Sequence, residues 1–80
     1  MIQLKLHHLG QIYESEGKDI EEALMALPIK LVRGKGVISI NNGVRTAEKV
    51  ISPFIMSKMF TVNPKNKELF IKKYGVMFNI

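Results

Sequence analysis

The sequence contains no cysteine and no tryptophan. Without cysteine there is no disulfide framework, no thiol nucleophile and no thiolate metal site, which fits a cytoplasmic chain. No apolar run approaches the length of a membrane span, and the first nine residues are too short and too polar for a signal peptide, so no membrane partner is expected. Arginine is scarce: Arg33 and Arg45 are the only two among twelve basic residues. Arg is the better side chain for bidentate phosphate and base contacts, so a Lys-dominated balance weakens a nucleic-acid reading.

What remains is ordinary for a small globular chain. Eighty residues make one domain, and 46% apolar residues argue against disorder. A chain of this size buries roughly 60–65% of its unfolded surface, so its core is modest. Five methionines add adaptable packing volume. Charge is uneven. Residues 1–29 carry two basic against five acidic side chains, a balance of −3, and residues 30–80 carry ten against two, a balance of +8. A basic half can attract nucleic acid, an anionic membrane surface or an acidic protein, and opposed halves favour head-to-tail or symmetric self-association, a homodimer included.

The stretch 34–60 organises the chain. Alternating apolar residues lead into Asn41-Asn42-Gly43, a second extended run follows, and Ser52-Pro53 opens an apolar-periodic helix. Two hairpin registers are open. A two-residue Asn42-Gly43 loop sets Ile40 opposite Arg45. A three-residue loop from Asn41 to Gly43 sets Ile40 opposite Val44 and Ile38 opposite Thr46, gathering Ile38, Ile40 and Val44 on one face. The apolar pattern selects the second, with Gly43 in the left-handed conformation.

Upstream, Ile2, Leu4 and Leu6 alternate with Gln3 and Lys5 as a half-buried strand. His8-Leu9-Gly10 reads as a turn, and pairing Leu6 with Ile12 continues the hairpin through Ser15 with Tyr13 facing outward. That register sets Leu4 against Glu14, a flaw that suggests a bulge or an early end to the pairing. Asp19 and Glu22 then resemble a capping box for a helix whose stripe is Ile20, Ala23, Leu24 and Leu27, stopped by Pro28. Glu21 and Glu22 suit the positive end of the helix dipole, which accounts for the acidic cluster without catalysis.

In the second helix Ile55, Met56, Met59 and Phe60 form the stripe. Asn63-Pro64 repeats the cap-plus-proline signal for a third, packed by Leu69, Phe70 and Tyr74, with Ile71 as a further candidate, and closed by Gly75. Residues 76–80 read as a terminal strand. The expected architecture is α+β: two ββα hairpin-helix units, 1–29 and 30–62, forming a largely antiparallel sheet covered by helices, with a third helix and a short C-terminal strand in 63–80. The turn glycines Gly10 and Gly43 share a 33-residue spacing with the caps Asp19 and Ser52, a faint sign of duplication.

No motif marks a catalytic, cofactor or metal site. His7 and His8 are neighbours on a strand, so their rings face opposite ways, and a pair of surface histidines is expected. Gly34-Lys35-Gly36 lacks the spacing and hydroxyl of a Walker A loop, leaving two glycines that relieve crowding or a basic loop, 30–35, that meets an anionic partner. Ser15, Ser39, Ser52 and Ser57 lie in no nucleophile motif.

The expected function is therefore a small non-enzymatic interaction module, acting by protein contact or self-association. The candidate apolar interface is Phe54, Met77 and Phe78, with Met25 as a further surplus side chain. The alternative is a sequence-nonspecific nucleic-acid-binding accessory protein using Lys30, Arg33, Lys35, Arg45, Lys49, Lys65, Lys72 and Lys73, with Lys58 and Lys67 as lesser members. The discriminating feature is whether these cations converge on one face.

Overall fold

The computed structural model describes residues 1–29, 33–60 and 63–79. Its elements are β1 (Ile2–His8), β2 (Gln11–Gly17), α1 (Ile20–Ala26), β3 (Gly36–Asn41), β4 (Thr46–Ile51), α2 (Pro53–Met59) and α3 (Pro64–Tyr74), followed by a one-turn 3-10 helix, Gly75–Phe78. The fold is α+β, with one antiparallel four-stranded sheet in the order β2-β1-β3-β4. The N-terminal hairpin meets the second through β1 and β3, with Leu4 opposite Ile40 and Leu6 opposite Ile38.

Each of α1, α2 and α3 starts where a short polar side chain satisfies free N–H groups. Asp19 Oδ1 accepts from Glu22 N at 2.8 Å. Ser52 Oγ accepts from Ile55 N at 3.3 Å, and Asn63 Oδ1 from Lys65 N at 3.0 Å and Asn66 N at 3.3 Å. Pro53 and Pro64 take the first helical positions, where a missing N–H costs nothing.

All the helices cover one face of the sheet. Leu4 and Leu6 from β1, Ile38 and Ile40 from β3 and Ile51 from β4 are buried against Ala23 and Leu24 of α1, Met56 and Met59 of α2, Ile71 of α3 and Phe78. Leu27, Ile29 and Phe60 complete this core.

Both hairpin registers differ from the sequence expectation, and for the same reason: the loops are two residues long and sit elsewhere. In the first, His8 pairs with Gln11 around Leu9-Gly10. Both loop residues have positive φ, 50° and 76°, the requirement of a type I′ turn. Leu6 thus faces Tyr13, not Ile12, and Leu4 faces Ser15, not Glu14. The expected bulge disappears, Tyr13 turns toward the core, and Ile12 is the residue left 60% exposed.

In the second hairpin Asn41 pairs with Thr46 and Ile40 with Ala47, and Asn42 N donates to Arg45 O at 3.1 Å. The loop is Gly43-Val44, with positive φ only at Gly43, as a II′ turn requires. Neither register read from the sequence occurs. Val44 is 90% exposed at the tip rather than packed beside Ile40. The Asn42 side chain fixes this turn by accepting from both Val44 N and Arg45 N, at 2.9 and 2.7 Å.

The chain end is also different. Gly75 does not close α3 in the left-handed region; its φ of −59° continues the helix into the 3-10 turn. Three residues per turn place Gly75 and Phe78 together on the buried side and leave Val76 and Met77 outward. Residues 76–79 therefore form no strand: Phe78 reaches the core through a helical turn instead.

Candidate interaction surfaces

Two broad surfaces remain once the core is assigned. The first is the sheet face turned away from the helices. Strand alternation puts Gln3, Lys5 and His7 of β1, Ile12, Glu14 and Glu16 of β2, Val37, Ser39 and Asn41 of β3, and Thr46, Glu48 and Val50 of β4 on it. The registers align these side chains in rows. Glu14, Lys5, Ser39 and Glu48 cross the middle of the sheet, and Ile12, His7, Val37 and Val50 cross one end. Val50 is 65% exposed. Lys5 meets Glu14 at 3.6 Å, an exposed pair of little energetic weight. Glu16 and Glu48 leave this face acidic.

The second surface is built by α2 and α3. Lys58 Nζ lies 5.5 Å from the ring centroids of both Phe54 and Phe70. Phe70 stacks on Tyr74 at 6.1 Å, with an 11° interplanar angle, and Lys73 Nζ lies 5.5 Å from the Tyr74 ring. Cations and aromatic faces thus alternate across the two helices, each contact worth about 0.5–1 kcal/mol where exposed. Leu69, expected to pack inward, is 61% exposed, whereas Ile71, the further candidate, is the α3 residue buried in the core. Lys65 and Lys73 are exposed, and Lys72 reaches Glu68 at 3.2 Å.

The basic residues singled out from the sequence do not converge on one face. Lys65, Lys72 and Lys73 lie on α3. Arg33 and Lys35 precede β3 at one end of the sheet, and Arg45 sits at the hairpin tip beyond its other end, a strand length of about 20 Å away. Lys49 points to the core side of edge strand β4, opposite buried Ile38, and is half-buried. An inward charge there discourages a further strand from pairing with that edge. Lys30 lies outside the described residues.

Lys67 is a half-buried residue with a different role. Its Nζ donates to Met25 O at 3.0 Å and Leu27 O at 3.3 Å, at the C-terminal end of α1, and lies 5.9 Å from the Phe60 ring. The last turn of α1 has no basic residue of its own, so α3 supplies the cation that complements its dipole. Burial lowers the Lys67 pKa from 10.5. The unfolded chain then binds more protons than the folded one just below pH 10.5, so the Lys67 contribution to stability rises with pH across that window. A Lys67→Met variant is expected to lose about 1.5–3 kcal/mol at neutral pH. Its deficit against the unsubstituted protein should widen as urea unfolding is repeated at increasing pH. A deficit that narrows with pH would contradict the assigned cause.

Of the apolar candidates, Phe54 is 60% and Met77 38% exposed, with Met25 at 37%. Phe78 is fully buried and belongs to the core, not to an interface. His7 is exposed on the open sheet face, whereas His8, expected at the surface, is buried and its Nε2 donates to Arg33 O, tethering the connector to the end of β1. Of the two glycines before β3, Gly34 has a φ of +77° and Gly36 packs against Met56 and Leu6, so both have backbone or packing roles.

Three of the four serines are engaged as well, and Ser39 lies on the open sheet face. Ser15 Oγ donates to Ala23 O at 2.6 Å, Ser57 Oγ to Phe54 O at 2.7 Å, and Ser52 caps α2. No cluster of three or more potential metal ligands occurs among the described residues, and none of their helices is long and apolar enough to cross a membrane.

Lys58 is legible in the sequence as a cation, whereas its aromatic setting emerges in the fold. The signal is present in the i, i+4 spacings of Phe54 with Lys58 and of Phe70 with Tyr74. The open sheet face was missed because its membership depends on the registers. In comparisons with known proteins, the chain matches no family model, no curated protein and no solved structure.

Proposed function

We propose that this chain is a small non-enzymatic interaction module that works by contact with protein, itself included. The observation that carries this reading is the uncovered outer face of the sheet, where Ile12 and Val50 remain 60% and 65% exposed at the two ends of one row. Exposed apolar groups rimmed by charge are the usual chemistry of a contact surface. The scatter of the basic residues over opposite ends supports protein over nucleic acid. In this reading the architecture is two hairpin-helix units joined through β1 and β3, with Leu4 and Leu6 of the first corresponding to Ile38 and Ile40 of the second.

A second reading is favoured by one observation, the alternation of Lys58 and Lys73 with Phe54, Phe70 and Tyr74. Such a surface suits single-stranded nucleic acid, whose bases stack on aromatic faces while lysines meet phosphates. Amide chemical-shift mapping separates the two. Raising the protein concentration is expected to shift resonances on the open sheet face, around Ile12, Val37 and Val50, and a random single-stranded oligonucleotide is expected to shift none. Oligonucleotide-induced shifts around Lys58 and Lys73 that vanish as salt rises would overturn the protein reading.

A further inference from the structure

We infer that the partner of the open sheet face is the α2–α3 face of a second copy of this chain. The inference rests on the protein-contact reading and names its occupant. The ground is complementarity between opposite sides of one molecule. The sheet face presents Glu14, Glu16 and Glu48 against Lys5. The α2–α3 side presents Lys58, Lys65, Lys72 and Lys73 against Glu68. On the helical side α1 and its cap carry Asp19, Glu21 and Glu22, which share one depression with Lys72, so the basic character belongs to the α2–α3 part of that side and not to the whole of it. Each side carries exposed apolar groups as well, Ile12 and Val50 on one and Phe54 and Leu69 on the other. Opposite potentials orient the encounter, and two sheet faces brought together would instead oppose acid to acid.

Because the two surfaces differ, the contact is heterologous: each copy offers one face and accepts the other, and copies stack along the sheet normal. The molecule measures 31 × 26 × 19 Å between its Cα extremes, so its broad side offers roughly 600 Å² to a neighbour, below the ~800 Å² per partner of a standard stable interface. The association is accordingly concentration-dependent and weakened by salt.

The test uses two variants of exposed residues. Ile12→Lys with Val50→Lys disables the sheet face by setting cations against the basic partner face. Phe54→Ser with Leu69→Ser disables the helical face without making it acidic. Both should keep the unfolding midpoint of the unsubstituted protein to within the small effects of surface changes. Light scattering is expected to give 9.1 kDa for each variant alone. An equimolar mixture, in which one variant retains each live face, should form a pair of twice that mass.

A mixture that stays at 9.1 kDa while the unsubstituted protein associates would overturn the heterologous contact. So would self-association of the Phe54/Leu69 variant alone, which would mark a symmetric sheet-to-sheet dimer. An unsubstituted protein that remains at 9.1 kDa at every concentration would overturn the second copy as the occupant. None of these outcomes involves nucleic acid, whose binding is what would defeat the underlying protein-contact reading.

Discussion

Replacing Phe78 with alanine is expected to destabilise the fold by about 3–5 kcal/mol, the range for emptying a buried aromatic site. An 80-residue domain has roughly 4–12 kcal/mol in total, so this single change removes a large part of it. The side chain is completely buried, and it arrives there through the 3-10 turn after α3. Phe54→Ala, a change of the same chemistry at a 60% exposed position, should cost about 1 kcal/mol or less. Urea unfolding of the two variants at unchanged slope measures the difference as a shift in midpoint. Equal midpoints would mean that Phe78 lies at the surface and that the chain end does not complete the core.

The second large effect is at Gly17, the last residue of β2. A Cβ there would lie 2.6 Å from Ala23 N and 2.9 Å from both the carbonyl carbon and Cβ of Glu22. The obstacle is mainly helix backbone, so Gly17→Ala must lift α1 from the sheet and strain the bond from Ser15 Oγ to Ala23 O. A cost of about 3 kcal/mol is expected, the upper part of the usual range for overpacking. Gly36 provides the control. Its added Cβ would meet Met56 Cε and Sδ at 2.9 Å and Leu6 Cδ1 at 3.0 Å. A thioether has three rotatable bonds and moves aside, so Gly36→Ala should cost about 1 kcal/mol or less. Similar costs at the two positions, read from thermal or urea midpoints, would show that α1 does not sit against β2 as described.

These predictions depend on placements that were unevenly legible in the sequence. The helix starts were readable because their causes are local. Asp19, Ser52 and Asn63 each accept from an N–H two or three residues on, and proline marks the next position at two of them. The strands were readable as strands, but their registers were not. At the second hairpin the pattern itself misleads. Lys49 occupies the core side of β4, while Val44 and Val50 are exposed. An edge strand with an inward lysine and outward valines resembles a strand one residue out of step. At the first hairpin, Leu9 holds a positive φ that local preference assigns to Gly or Asn, so the two-residue loop left no clear mark.

The surfaces follow from those registers. A one-residue change exchanges Tyr13 for Ile12 and moves the exposed apolar row from nowhere to the open face of the sheet. The basic residues could be listed from the sequence, but their separation could not: Arg33 and Arg45 are twelve positions apart and lie at opposite ends of one strand. Phe78 was misplaced because Gly75 reads as a stop, whereas the chain passes through it in helical conformation.

The most direct test of the protein-contact reading is the light-scattering mass of the unsubstituted protein at rising concentration, at low and moderate salt, with and without a random single-stranded oligonucleotide. The account predicts a mass that climbs above 9.1 kDa as concentration rises, climbs less at the higher salt, and ignores the oligonucleotide. A mass fixed at 9.1 kDa until the oligonucleotide is added, and returning to it as salt releases the complex, would contradict it.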